Sequence, residues 1–207
     1  MTPAEPSADE PRLVALLVDA GLDVVVEHGH VAGELRGLEV ARISNGRLDV
    51  GVGEADRELT AMVHGDLAPE AALRRVLSIV QDKRRPGAPR HPLNQLVPER
   101  WLRWTIRGEP SRVGLDRVDA APLPRPRRGL RERDIAAATA DGVVVVCSVG
   151  IDLDLVPAAA EARLGLDRDA HLVLVVPERD DHPVTRALAA RLQSPAEITT
   201  VTGDWRL

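Results

Sequence analysis

The sequence is poor in aromatic residues, since its 207 positions include three Trp, no Phe and no Tyr. The core must therefore be built almost entirely from Leu, Val and Ala side chains. Few rings remain for stacking on nucleic-acid bases, which argues against a broad base-stacking surface. The length suits one large domain or two small ones and is ample for a sizeable core.

Cysteine and lysine are almost absent as well. Cys147 is the only cysteine, which excludes an intramolecular disulfide and a cysteine-based zinc cluster. It ends the apolar run Val143–Cys147, and the next arginine along the chain is Arg163. No guanidinium close in sequence stabilises a thiolate there, so we expect a buried, unreactive thiol. Lys83 is the only lysine, a bias typical of high-GC bacterial coding.

No segment resembles an export signal or a membrane span. The first residues are acidic and rich in proline, without a basic stretch followed by an apolar one. The longest apolar runs fall far short of the roughly 20 residues that cross a bilayer. These features predict a cytoplasmic, soluble protein that does not bind membranes, with a disordered acidic tail at residues 1–10.

Positive charge is concentrated in the middle of the chain. The stretch from Lys83 to Arg133 holds 14 basic and 5 acidic residues, so it carries +9 and the remainder of the chain −14. Four residues in its centre combine guanidinium groups with indole rings: Arg100, Trp101, Arg103 and Trp104.

Three interpretations of this Arg/Trp segment remain open. Its charge attracts the phosphates of a nucleic acid, and a Trp ring can stack on a base. Arg and Trp are also common anchors of protein interfaces, so a protein partner or self-association is an alternative. Finally, the segment can brace two acidic lobes of its own chain. The charge imbalance favours this internal role, and nucleic acid is the less favoured external partner.

Residues 11–85 have the pattern of a small α+β lobe with an antiparallel sheet. Asn45-Gly46 is a strong hairpin signal between two strand-like runs. A helix is predicted from a cap near Asp66, with Pro69 in its first turn, to Lys83. The other predicted elements are a helix at Pro11–Ala20 and strands at Leu22–Glu27, Val31–Leu35, Leu38–Ile43, Leu48–Val52 and Arg57–His64.

Residues 135–207 differ in kind. Continuous apolar runs at Gly142–Val149 and Leu172–Val176 indicate strands that are covered on both faces. Helical segments follow them at Leu155–Leu164 and Pro183–Gln193, and Ile198–Val201 supplies a third strand. This order predicts a Rossmann-like parallel βαβαβ lobe. The whole chain is therefore predicted to be α/β, with the basic residues 86–134 as a connector that contains a short helix at Pro98–Arg107 and ends in a Pro/Arg-rich stretch.

Polar residues follow both predicted parallel strands. Because ligands of open α/β sheets gather at the carboxyl ends of the strands, we predict a ligand site there. Its candidate residues are Ser148, Gly150, Asp152, Asp154, Glu178 and Asp180. The first two suit the approach of a phosphate, and the acids suit a metal ion or a hydroxyl group. The alternative is local: the aspartates cap the next helix and the glycine permits a turn.

Two functions follow from these patterns. The first is a non-catalytic binding or accessory protein that uses the Arg/Trp segment. The second is an enzyme that acts on a small polar or phosphorylated metabolite with the acids at the strand ends. The chain has neither the G-x-G-x-x-G fingerprint nor a Walker lysine, so the sequence identifies no cofactor.

Overall fold

In the computed structural model of the chain, the described residues are 10–27, 29–64, 67–85, 87–89, 91–123, 135–203 and 205. They form two compact units, one up to Asn94 and one from Gln95. This boundary falls inside the segment 86–134 that the sequence suggests is a single connector. The tail before Glu10, the cap at Asp66 and most of the Pro/Arg-rich stretch before residue 135 lie outside the described residues.

The first unit combines an antiparallel sheet with helices. Its strands pair in the order β1-β2-β3-β4. The helix predicted at the start and four of the five predicted strands are confirmed to within two residues. The elements are α1 (Glu10–Asp19), β1 (Asp23–Glu27), β2 (His30–Leu35), β3 (Leu38–Ser44), β4 (Arg47–Val50), α2 (Gly53–His64) and α3 (Pro69–Lys83), followed by a 3-10 turn at Pro92–Asn94.

Tight turns join the central strands of this sheet. Asn45 and Gly46 connect β3 to β4 and have positive φ angles of 52° and 71°. Arg36 and Gly37 connect β2 to β3 with φ angles of 49° and 75°. Two successive residues with positive φ are what a type I′ hairpin turn requires, and the predicted Asn-Gly turn is confirmed.

The strand predicted at Arg57–His64 is wrong, because these residues belong to helix α2. Acidic residues in its first turn complement the positive end of the helix dipole. One of them, Asp56, accepts a hydrogen bond of 2.7 Å from the amide of Val52 just before the helix. Arg57 then reaches Glu39 on β3 at 2.9 Å and ties the helix to the sheet.

Helix α3 begins at Pro69, as predicted. Its N-cap residue is Ala68, which makes no side-chain cap hydrogen bond. Its buried stripe is the predicted one except for Val76, which is only partly buried. The buried members are Ala72, Leu73, Leu77 and Val80.

The second unit contains a five-stranded mixed sheet in the order β5-β6-β7-β8-β9. Strands β7, β8 and β9 run parallel, whereas β5 and β6 are antiparallel to their neighbours. The elements are α4 (Pro98–Gly108), β5 (Asp119–Ala120), β6 (Ala136–Ala140), β7 (Val143–Cys147), α5 (Leu155–Leu166), β8 (His171–Pro177), α6 (Pro183–Ala190) and β9 (Glu197–Val201). Two 3-10 turns, at Pro110–Val113 and Glu178–Asp180, accompany them.

Helices cover both faces of this sheet, which explains why its inner strands are apolar throughout. Helices α5 and α6 pack on the side of Val144 and Val146. Helix α4 packs on the side of Val145 and Cys147. The mixed α/β class predicted from the sequence is therefore confirmed, and the parallel strand–helix–strand–helix–strand order is present in β7 to β9.

Candidate functional site

The loops that follow β7 and β8 leave the sheet at the same edge. The two strands are parallel and in register from Val143 opposite His171 to Cys147 opposite Val175. Beyond the strands, the amide of Gly150 donates a 2.8 Å hydrogen bond to Oδ2 of Asp180. The predicted convergence of the two loops is thus present in the structure at these two residues.

Ser148 stands at the end of β7 and is 1% exposed. Its amide continues the sheet by donating to the carbonyl of Val175 at 3.1 Å. Its hydroxyl oxygen is buried and has no hydrogen-bond partner among the described residues. Strand residues alternate between faces, so Ser148 shares the α5 face with Val146. Buried hydroxyl groups that lack a hydrogen-bond partner are uncommon in folded proteins.

Gly150 leaves room above the strand end. Its φ angle is +94°, a conformation that favours glycine. A Cβ atom built on it would meet no heavy atom within 4 Å, so the space there is open. Gly150 therefore permits the turn, as the local interpretation proposes. Because it has no side chain, it also leaves space beside the end of the strand.

The acids of this edge have different local roles. Oδ1 of Asp152 accepts from the amide of Asp154 at 2.9 Å, which forms a local turn before α5. Asp154 is the N-cap residue of α5, but its side chain makes no cap hydrogen bond and is exposed. The side chain of Asp180 is only 11% exposed. Its Oδ1 lies 3.6 Å from Nε of Arg179. Glu178 is exposed.

Exposed apolar side chains lie close in sequence to these acids, and they were not among the residues predicted for the site. Ile151 is 59% exposed, Leu153 63% and Val184, at the start of α6, 45%. The alternation of Ile151 and Leu153 with aspartates was visible in the sequence, but their exposure depends on the loop conformation. The edge is therefore both acidic and apolar.

The start of α5 is a poor site for a phosphate. The amide of Leu155 points to the carbonyl of Asp152 at 3.4 Å. Pro157, in the first turn, has no N–H to offer. Anion sites at helix N-termini depend on free backbone amides. Here the amide of Asp154 already donates to the carboxylate of Asp152. The first turn of α5 therefore offers little to a phosphate, and the approach of a phosphate to Ser148 and Gly150 stays a prediction.

The Arg/Trp segment forms much of α4, whose side chains point largely into the second unit. Trp101 is 2% exposed and Arg103 is 1% exposed. Nη1 of Arg103 donates to the carbonyl of Ala137 on β6 at 3.5 Å. Arg100 and Trp104 are half-buried. A partner that approaches the folded surface does not reach the first two side chains, so the partner-binding role stays a prediction that depends on the other two.

Cys147 is buried on the α4 face of the sheet. Burial raises the pKa of its thiol from the ordinary 9.0 to about 12. The charge of Arg103 lowers this pKa and that of Glu99 raises it, both less than burial does. The predicted burial of the thiol is confirmed, and its lack of reactivity is open to a direct test.

Labelling of Cys147 by a thiol reagent is expected to be slow in the folded protein and to speed up as denaturant unfolds the second unit. Rapid stoichiometric labelling of native protein would contradict this.

The free energy of unfolding should also fall as pH rises from about 9 through about 12, because the thiol ionises at a lower pH in the unfolded chain than in the folded one. Few other groups titrate there, since the chain has one Lys and no Tyr. Cys147→Ala should remove most of this alkaline loss.

Comparison with other proteins gives no further guide to the site. The chain matches none of the protein-family models, curated protein sequences or solved structures with which it was compared. Within the described ranges, no three or more His, Cys, Asp or Glu residues are grouped so that they could hold a metal ion. No helix in that part of the chain is long and apolar enough to cross a membrane.

Proposed function

We propose that this chain is a non-catalytic binding protein with a Rossmann-like second unit, and that its ligand binds at the carboxyl edge of β7 and β8. The observation that carries the proposal is the buried hydroxyl of Ser148, which has no partner among the described residues. Its oxygen is covered in this conformation, so a ligand reaches it only when the loop around Gly150 moves. Gly150, two residues further along the chain, has open space at its Cβ position.

The ligand that fits this edge best is an aliphatic cation. The exposed carboxylates of Asp154 and Glu178 attract a positive charge, and the half-buried Asp152 adds a third. The exposed side chains of Ile151 and Leu153 offer contact to methylene groups. An aliphatic amine combines both features, whether it is a free polyamine or a lysine side chain of a peptide.

Binding is favoured over catalysis because no nucleophile is activated at this edge. A serine becomes a nucleophile when a base lies within hydrogen-bond distance of its hydroxyl, and Ser148 has no such partner in the described structure. The carboxylate of Asp180 accepts a hydrogen bond from the amide of Gly150, and this bond joins the two loops. The enzyme alternative, which uses the acids at the strand ends, would need an exposed carboxylate such as Asp154 or Glu178 as its base.

Calorimetric titration of the full chain tests the proposal. Spermidine and a short Lys/Leu peptide serve as two separate probes, which distinguish a free amine from a protein segment. Replacing Asp152 and Asp154 together by Asn should weaken binding about tenfold or more, which corresponds to ~1.4 kcal/mol. Asn at position 152 keeps an oxygen for the amide of residue 154, so the turn is preserved.

Asp167→Asn is the matched control, because Oδ1 of Asp167 accepts from the amide of Asp169 at 3.1 Å in the same local geometry. It should leave binding unchanged. Ser148→Ala should weaken binding without lowering the melting temperature, since it removes a buried hydroxyl that makes no hydrogen bond. If neither probe binds, or if the Asp152/Asp154 double variant binds as well as Asp167→Asn, the proposal fails.

A further inference from the structure

Strand β9 is an edge strand of the second sheet as far as the structure describes the chain. The strand order ends with it, and it pairs with β8 alone among the described strands. Its three middle residues, Ile198, Thr199 and Thr200, are only partly buried. A strand that pairs on one side presents a row of backbone amides and carbonyls on the other, and these groups can pair with another strand.

Strand β9 carries few of the usual protections of an edge strand within its own sequence, although the 3-10 turn at Pro110–Val113 contacts it. Glu197–Val201 contains no proline and no lysine, and its pairing with β8 runs without a bulge from Val173 to Pro177. Its one charged side chain, Glu197, is 3.2 Å from His171 of the neighbouring strand. The other edge of the sheet, β5, is protected by its length of two residues.

We propose that β9 pairs in antiparallel fashion with β9 of a second copy of this chain, about a two-fold axis at Thr199. In that register Thr199 faces its own equivalent, Ile198 faces Thr200, and Glu197 faces Val201. No like charges oppose each other, and β-branched side chains meet across the strands, which stabilises a sheet. The pairing would continue the five-stranded sheet of one copy into that of the other.

The choice of a second copy as the occupant rests on this self-complementarity, which the other long open edge lacks. Strand β1 is the longer of the two edge strands of the first sheet, the other being β4, and has the sequence Asp-Val-Val-Val-Glu. Self-pairing about its central Val25 would place Asp23 opposite Glu27 twice. Like charges directly opposite each other destabilise a strand pair, so β1 is unsuited to the same contact.

The contact is small, so the dimer should be weak and depend on concentration. One pair of five-residue strands buries less than the roughly 1,200–2,000 Å² of a standard stable interface. Helix α6 lies beside β9, and its partly buried Leu188 and exposed Arg186 would add contacts at the rim. Sedimentation of the full chain over a range of concentrations should show a monomer that converts to a dimer.

Charge variants at the two-fold axis make the test specific. Thr199→Lys and Thr199→Asp should each remove the dimer, because identical charges would face each other across the axis. Mixing the two variants should restore a heterodimer. Thr139→Lys is the matched control, since Thr139 is also a half-buried threonine but lies on β6, away from β9. It should leave the dimer intact.

Thermal unfolding by circular dichroism verifies that each variant is folded. A wild-type chain that stays monomeric at all concentrations overturns the proposal. So does a dimer that survives in both Thr199 variants, because it must then use another surface. Failure of the mixed variants to associate, while each alone is a folded monomer, would show that Thr199 does not face its own equivalent.

Discussion

Trp101→Ala is expected to lower the free energy of unfolding of the second unit by about 3–5 kcal/mol, the range for deleting a buried aromatic side chain. The indole is 2% exposed and packs in one cluster with Leu102, Ile106 and Val145. Small neighbours on β6, such as Ala136 and Ala138, have no side chains long enough to fill the space it would leave. The cavity would therefore persist.

Tryptophan fluorescence measures this effect in one unit only. All three tryptophans of the chain, Trp101, Trp104 and Trp205, belong to the second unit, and the first has none. Urea titration of the variant can still be followed through the two that remain. Trp104→Ala is the control, because that ring is only partly buried and its loss should cost clearly less. Equal and small losses for both variants would contradict the burial of Trp101.

The parallel strands of the second unit could be predicted because their sequence reflects burial on both faces. Val143–Cys147 has no polar residue on either side of the strand, and α4 and α5 explain why. The antiparallel neighbour β6 has no such signal. Its sequence, Ala-Ala-Ala-Thr-Ala, favours a helix by intrinsic propensity. It is a strand because it pairs with β7 and because its small side chains admit α4.

The Arg/Trp segment shows how far a charge pattern alone reveals the burial of side chains. Guanidinium groups beside indole rings suggest an exposed binding surface, and the net charge of the region strengthens that impression. The helical period carried the better signal: Trp101, Leu102, Thr105 and Ile106 recur on one face, and all are buried. Arg103 is buried beside them and donates a hydrogen bond to the carbonyl of Ala137, a partner that sequence does not reveal. Bracing of two lobes by this segment stays a prediction.

Helix α2 was missed for a related reason. Its residues from Arg57 onward alternate loosely between polar and apolar, and two of the apolar ones, Leu59 and Met62, are exposed in the helix. Neither the helical period of about 3.6 residues nor the strand period of two is therefore clear in the sequence. The contacts that hold the helix to the sheet, such as Arg57 with Glu39, join residues far apart in the chain.

The corresponding prediction for the first unit concerns Arg84, whose side chain is fully buried. Its Nε donates to the carbonyl of Arg36 at 3.1 Å, and its Nη1 donates to the carbonyl of Leu93 at 2.7 Å. The Arg36 side chain returns a hydrogen bond to the carbonyl of Arg84. One guanidinium thus joins the β2–β3 turn to the segment that follows α3.

Arg84→Ala should therefore destabilise the first unit by about 3 kcal/mol or more, since each hydrogen bond from a charged group contributes ~1.5–3 kcal/mol. Arg84→Lys should rescue little, because an ammonium group lacks the planar fork that reaches two carbonyls at once. Arg85→Ala is the matched control, because the side chain of Arg85 is exposed, lies one residue away and carries the same charge.

Amide hydrogen exchange suits the measurement, because the first unit has no tryptophan. Loss of protection in β2 and β3 for Arg84→Ala, with Arg85→Ala unchanged, is the expected result. Equal protection in both variants would show that the buried guanidinium is not what holds this turn.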